Sequence, residues 1–276
     1  MKPAKTILIT GCSTGIGYTT AQVLKARGHT VIAAARKADD VARLQAEGFT
    51  ALRLDLADSS SIKLAVEQTL ELTGGRLDAL FNNGAFGQPG AVEDLSREVL
   101  RFQFETNLFG THELTNLIIP VMRRQGYGRI IYNSSVLGLV ALTYRGAYNA
   151  SKFALEGLAD TLRLELRGTG IAISLIEPGP ILSRFRENSF ALYKRNIDAE
   201  RSAHRDKYRA MEARLQKEGA AVPFTLPAEA VAEKVVHALE AKRPKIRYYV
   251  TFPTYLFGTL KRLLPAAWLD HLLIKV

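Results

Sequence analysis

Cysteine is almost absent. The 276-residue chain has one, Cys12, so no disulfide can form within it, and the composition fits a reducing compartment. No apolar run reaches the ~20 residues needed to cross a bilayer. No apolar signal region precedes the first strand-like run, because Met1-Lys2-Pro3-Ala4-Lys5 leads straight into it; a cytoplasmic location is the expectation. The five histidines have no metal-ligand spacing, so no metal site is expected. Repeats, low-complexity tracts and an obvious linker are also missing, which favours a single domain over 1–276.

Acid is scarce too. Lys and Arg number 37 against 27 Asp and Glu, a net charge of +10. The excess is local: residues 184–218 hold ten basic and six acidic residues, and 242–276 hold seven basic and one acidic. A solvated basic surface is the plain reading. The sharper one is an anionic substrate or an anionic membrane surface met by the C-terminal third. No recognised nucleic-acid-binding module accompanies the charge, so nucleic acid is not expected as a partner.

Apolar patterning alternates strand and helix. Strand-like runs lie at 6–10, 30–35, 50–54, 77–82, 129–134, 171–177 and 246–251, with helix-like stretches at 15–27, 38–47, 60–73, 96–124, 146–167 and 227–241. Such alternation predicts an α/β fold: a doubly wound, Rossmann-like, seven-stranded parallel sheet with helices on both faces. Residues 183–225 break the rhythm. They are long, polar and helix-prone, with Pro223 and Pro227 at the far end, a candidate substrate lid. Residues 252–276 form an apolar and basic tail in which Pro253 and Pro265 preclude one unbroken helix. It can pack on its own domain or a partner subunit, cap the substrate pocket, or lie weakly in a membrane interface.

The stretch Ile7 to Gly17, ILITGCSTGIG, supports two chemistries. Gly11-Cys12-Ser13-Thr14-Gly15 fits the turn that presents a nucleophilic serine in α/β-hydrolases. The same letters give Gly11, Gly15 and Gly17, a loop over which a phosphate can approach the backbone. Position decides between them. A hydrolase elbow follows several strands and borrows an oxyanion donor from an earlier loop; only one strand precedes Ser13, and His271 could serve as a base only from the extreme C-terminus. The first strand-to-helix turn of a doubly wound sheet is instead where dinucleotide pyrophosphates sit.

The segment NSSVLGLVALTYRGAYNASK has Tyr148 and Lys152 four apart, on one face of a predicted helix, and Ser135 thirteen before the tyrosine. Tyr-x-x-x-Lys alone is a weak signal. It gains force from the glycine loop, from Asn82-Asn83-Gly84-Ala85 closing the fourth strand, from Asn107 in ETNLFG and from Pro178-Gly179 closing the sixth. With these motifs the sequence resembles the short-chain dehydrogenase/reductase family over residues 6–250. Details such as AARK, AYNASKFALEGLADTLRLELRGTGI and LIEPGPI look closest to bacterial NADP-dependent aldehyde reductases, with 17-beta-hydroxysteroid and retinol dehydrogenases more distant.

The resemblance implies a catalytic set of Asn107, Ser135, Tyr148 and Lys152. It implies a nicotinamide cofactor held by Gly11, Ser13, Thr14, Gly15, Ile16 and Gly17, by Asp55 and Leu56 after the third strand, by Asn83 and Gly84, by Tyr148 and Lys152, and by Pro178, Gly179, Ile181 and Ser183. The family usually has Asn-Asn-Ala-Gly after the fourth strand. Here Gly84 and Ala85 are swapped, which puts a methyl where the cofactor's ribose should pass. By the same resemblance Asn107 holds a water connecting Lys152 to solvent, and the long 146–167 helix pairs subunits into a homodimer or homotetramer.

Elementary chemistry supports the central assignments independently. Reducing a carbonyl needs a proton for the developing alkoxide. Tyrosine can give it, but its reference pKa is about 10. A nearby cation lowers that by about 1–3 units, and Lys152 is one helical turn away. A pKa near 7 means roughly 4 kcal/mol of differential stabilisation, so the positive charge of an oxidised nicotinamide is expected to help. Ser135 would hydrogen-bond the substrate oxygen; Ser134 is equally plausible by composition, and family spacing favours Ser135. An acid ending the second strand would select NAD, whereas a cation welcomes the 2′-phosphate of NADP. The strand ends Ala33-Ala34-Ala35 and is followed by Arg36 and Lys37, which predicts NADP(H). Asp39 and Asp40 come later and read as caps of the next helix.

The expectation is an NADP(H)-dependent oxidoreductase that reduces a hydrophobic small-molecule carbonyl, most simply an aldehyde. The alternatives are a hydroxysteroid or retinoid dehydrogenase and, from another class, a catalytically idle NADP-binding redox sensor.

Overall fold

The computed structural model describes residues 3–276. Short runs rich in β-branched and aliphatic residues form seven strands, all parallel: β1 (Thr6–Ile9), β2 (Thr30–Ala35), β3 (Thr50–Arg53), β4 (Ala79–Asn82), β5 (Gly128–Asn133), β6 (Ile171–Glu177) and β7 (Arg247–Tyr249). Their order is β3-β2-β1-β4-β5-β6-β7. The seven correspond one for one to the seven predicted runs.

Side chains alternate faces along a strand, and the core divides accordingly. Ile7 and Ile9 of β1 join Ala21 and Leu24 of α1 (Gly15–Ala26), Leu44 of α2 (Ala38–Ala46), and Val231 and Val235 of α9 (Glu229–Glu240). Leu8, between them, faces the other way. It joins Ile62 of α3 (Ser59–Leu72), Leu114 and Ile118 of α5 (Gly110–Gln125), and Leu155 of α6 (Gly146–Glu165). Both faces are therefore buried, as a parallel sheet requires.

The helix predicted over 96–124 runs without interruption but contains a π-helical turn. It comprises α4 (Arg97–Phe104), the π-turn at Glu105–Phe109 and then α5. One extra residue is a small mark on an apolar pattern of this length, so the π-turn was not legible in the sequence, and it contains Asn107. The candidate lid holds α7 (Phe185–Asn196) and α8 (Arg205–Gln216), whose Tyr193, Tyr208, Met211 and Leu215 pack with Ala91 and Ile197. The tail forms two helices, as its prolines require. Pro253 sits in the first turn of α10 (Phe252–Leu263), and Pro265 precedes α11 (Ala266–Leu273). Phe257, Leu269 and Leu273 pack on Val140, so the tail braces the loop that follows Ser135.

The chain runs outward from β1 to β3, then returns to place β4 on the other side of β1. The loops leaving β1 and β4 diverge at their carboxyl ends, and this switch point is where an open α/β sheet offers a crevice.

Candidate active site

The floor of the crevice is the loop from Thr10 to Gly17. Gly11 and Gly15 have φ of 71° and 60°, a left-handed backbone that glycine adopts without strain. A Cβ on Gly17 would stand 2.4 Å from the Gly11 carbonyl oxygen, and one on Gly11 would stand 2.8 Å from the Gly84 Cα. No side chain caps the start of α1 at Thr14, so its first N–H groups stay open to an anion. Ile16 packs beneath, against the core.

Thr10 Oγ1 accepts from the backbone N–H groups of Asn83 and Gly84 at 2.9 and 2.8 Å, and Asn83 Nδ2 donates to the carbonyls of Thr10 and Gly11. The loops of β1 and β4 are thereby locked together. Leu56 is buried, and its Cδ1 would stand 3.0 Å from a Cβ on Gly84. A swap that puts glycine at 84 leaves this contact loose and moves the methyl to Ala85. Asp55 is tied into its own turn, accepting from Ala57 N at 3.0 Å.

Across the crevice, the Pro178 carbonyl accepts from Val136 N at 2.8 Å and a Cβ on Gly179 would collide with Thr251 Oγ1. Ile181 bridges to Leu226. The Ser183 Cβ is 3.1 Å from the place of a Cβ on Gly15, so the sixth strand's loop closes over the glycine loop. A dinucleotide fits this cradle: glycine backbone without side chains and first amides of α1 that no side chain caps.

The serine-nucleophile reading fails on geometry. His271 Nδ1 donates to the Ala267 carbonyl of its own helix, 2.7 Å away. The Ser13 carbonyl instead accepts from Arg43 Nη2 at 2.6 Å. Burial pushes the neighbouring Cys12 thiol up to about 12, so it is no nucleophile either.

Arg36 and Lys37 are exposed where β2 ends, and neither has a carboxylate within ion-pair distance among the described residues. Asp39 and Asp40 lie in the first turn of α2, but the N-cap is Lys37 and no side chain caps the helix. They complement its dipole rather than cap it, a correction to the sequence reading.

Beyond the cradle, β5 and α6 bring the remaining side chains together. Ser135 follows β5, and its Oγ accepts from Leu137 N at 3.1 Å. Tyr148 and Lys152 lie one turn apart on α6, with Lys152 Nζ 5.5 Å from the centre of the Tyr148 ring. Lys152 donates to the Asn133 carbonyl at 2.7 Å. The Phe185 ring lies edge-on to Tyr148, 5.3 Å between centroids, so the lid begins on the tyrosine. Ser134 points elsewhere. A Cβ on Gly138 would stand 2.8 Å from its Oγ and 2.9 Å from the Glu156 Cγ.

The sequence profile of the short chain dehydrogenase family matches residues 5–193. The chain belongs to that family. It is 44% identical to the oxidoreductase YbbO of Escherichia coli K12 over 98% of this chain and 94% of that one. It is 34% identical to human 17-beta-hydroxysteroid dehydrogenase type 1 over 89% of this chain and 77% of the relative. Among solved structures, a short chain dehydrogenase/reductase from Burkholderia phymatum in complex with NAD aligns over 94% of this chain and 92% of its own, at 25% identity and a TM-score of 0.77.

Within this short-chain dehydrogenase the electrostatics of the tyrosine differ from the sequence expectation. Burial pushes the Tyr148 phenol up to about 12, with a Ser135 hydrogen bond pulling the other way. Burial lowers Lys152 to about 8, against the pull of Glu156. The lysine is itself desolvated and spends a hydrogen on Asn133, so by itself it does not bring the phenol near 7.

Asn107, in the π-turn, accepts from Phe86 N and donates to the Phe86 carbonyl and to Ser151 Oγ at 3.1, 2.9 and 3.2 Å. Its side chain ties the loop after β4 to α6. Sequence reasoning missed Asn133, whose Nδ2 donates to Asn83 Oδ1 at 2.9 Å, and Arg43 beside Ser13. Arg43 lies on α2, and its contact with the Ser13 carbonyl is between residues distant in sequence, so no local pattern signalled it.

Proposed function

We propose that this protein transfers hydride between NADP(H) and a hydrophobic carbonyl compound, reducing aldehydes to alcohols. The observation that carries the reading is the meeting of Ser135, Tyr148 and Lys152 at the rim of the glycine crevice, beneath Phe185. When bound, the nicotinamide supplies the hydride and, once oxidised, a positive charge. The rest is the work of this chain. A phenol with a pKa about 12 is protonated at neutral pH and ready to donate to the developing alkoxide. Ser135 is its hydrogen-bond partner and fixes the carbonyl oxygen. Lys152 and Asn133 hold the base of the site.

NADP(H) rather than NAD is read from the free cations Arg36 and Lys37 and from Arg43 at Ser13. A family member that carries NAD means that the choice lies in such side chains, not in the fold. The 34% identity to a 17-beta-hydroxysteroid dehydrogenase supports a hydroxysteroid as the second reading. Exposed Phe153, Leu158 and Leu164 along α6 support pairing of subunits. Exposed Leu263, Trp268 and Ile274 among the basic residues of the tail support weak membrane contact, which co-sedimentation with anionic liposomes tests. No described helix is long and apolar enough to cross a membrane.

The deciding experiment is oxidation of NADPH and of NADH with a panel of aldehydes, ketones, retinal and keto-steroids. Turnover fastest with NADPH and aldehydes is expected. Fastest turnover of a steroid favours the second reading. Cofactor binding with no turnover of any carbonyl overturns both and leaves an idle sensor.

A further inference from the structure

The basic excess over 184–218 has no part in the reaction above. Much of it is spent on the surface: Arg184 pairs with Glu187, Lys194 with Glu212, Arg201 with Asp198, and Arg205 and Arg209 with Asp206. Arg186 and Arg214 are different. Both are half-buried, and neither has a carboxylate within ion-pair distance among the described residues; Arg145 is a third of this kind. Arg186 has a structural explanation, because it donates to the carbonyls of Arg214 and Lys217 at 3.2 and 2.7 Å and to that of Gly219, closing the end of α8. Arg145 makes one long bond, 3.4 Å, to the Thr143 carbonyl, and the Arg214 guanidinium makes none among the described residues.

These groups sit on the lid side of the site. Arg145 is the residue before α6, and only Gly146 and Ala147 lie between it and Tyr148, less than one helical turn. Phe185 lies on Tyr148, and the next residue, Arg186, bonds the carbonyl of Arg214 in the last turn of α8. Arg145 feels the Arg214 charge: burial first, and then that charge, press it down to about 10. The backbone is strained to hold this arrangement. Tyr144 has φ of 60°, a conformation costly for a tyrosine. It is fixed by Gly90 N donating to its carbonyl at 3.0 Å and by its ring against His204 and Tyr208 of the lid.

Two like charges half-buried together, with no counterion, raise the energy of the folded chain. An anionic ligand relieves that cost, and a guanidinium fork grips carboxylate or phosphate in two hydrogen bonds. The dinucleotide's phosphates are accounted for by the glycine loop and the end of β2.

We propose that Arg145 and Arg214 form an anion subsite of the substrate cleft, so that the substrate is an amphiphile: a carbonyl at Tyr148, an apolar segment along Phe185 and a carboxylate or phosphate on the two guanidinium groups. The proposal rests on the oxidoreductase reading for the carbonyl end, and on the arginines alone for the anionic end.

Calorimetry on the full-length protein with saturating NADPH, which covers the other basic site, tests it without turnover. The probes are octanoate, octyl phosphate and 1-octanol at low ionic strength. One charge-assisted contact is worth about 1.5–3 kcal/mol, so at least one of the two anions is expected to bind roughly 10–100-fold tighter than the alcohol. The tighter of the two identifies the headgroup. Arg214→Gln and Arg145→Met should each erase most of that preference, and Arg214→Lys should keep much of it. Octanol binding as tightly as both anions overturns the proposal, as does a preference that survives the Arg145→Met/Arg214→Gln double substitution. Anion preference without turnover of any carbonyl sinks only the oxidoreductase reading. Turnover without anion preference sinks only the subsite.

Discussion

At the scale of single residues, the site is built from side chains whose ordinary behaviour burial has changed. Tyr148 is the proton donor of the proposed reaction, and removing its hydroxyl isolates that role. Tyr148→Phe should lower kcat at least ~100-fold, the lower range for a lost general acid, while the cofactor dissociation constant stays within a factor of a few. Near wild-type kcat on a good substrate would remove Tyr148 from the mechanism. Arg36 carries the cofactor choice in the proposed reading. Wild-type protein should bind NADPH roughly 10–100-fold tighter than NADH, one charge-assisted contact's worth, and Arg36→Ala should reduce that ratio severalfold without weakening NADH. Fluorescence titration of both cofactors measures it, and equal affinities in the wild type contradict the assignment.

At the scale of elements, insertions and braces position what the sheet does not. The π-turn at Glu105–Phe109 rotates Asn107 inward so that it can bond Phe86 and Ser151 at once; such bulges recur at functional sites. The tail braces the opposite wall. Phe257, Leu269 and Leu273 cover Val140, and each buried side chain of this size stabilises by about 1.5–3 kcal/mol as an upper figure. A chain ending at Val250 should therefore melt at least ~5 °C lower, since about 2–4 °C is lost per kcal/mol in a protein of this size. An unchanged Tm would mean that the tail serves something other than the fold.

At the scale of the whole molecule, a buried ion cluster ties the last strand to the rest. Arg247 of β7 donates to Glu177 of β6 at 2.5 Å and to Asp160 of α6 at 2.6 Å, and also to Glu156. Three carboxylates share one guanidinium. Burial first, then Glu156, push Glu177 up from 4.5 to about 8. A folded-state pKa above the unfolded one means stabilisation that is full below ~4.5 and is lost as pH rises through about 8. Thermal stability should therefore decline across that window, and Glu177→Gln, which cannot ionise, should flatten the decline. A decline of the same slope in the variant would assign it to other groups.

Much of this protein is determined by local pattern. Seven apolar runs became seven strands, and the glycine spacing from Gly11 to Gly17 foretold a crevice at the first turn, because strand burial and left-handed backbone are properties of a few consecutive residues. The placing of Tyr148 and Lys152 on one helical face followed from their spacing, and its meaning from the motifs around it. Tertiary structure decided what depends on neighbours distant in sequence. It put a π-turn at Asn107 into the 96–124 helix, a single extra residue that the apolar pattern does not announce. It left Tyr148 with a raised pKa, because burial is set by Phe185 and the lid rather than by Lys152. It set Arg43 beside Ser13, thirty residues apart in the chain, and Arg145 near Arg214 with no acid between them. Charge and period can be read along a chain, but desolvation and the absence of a counterion exist only once the chain has folded.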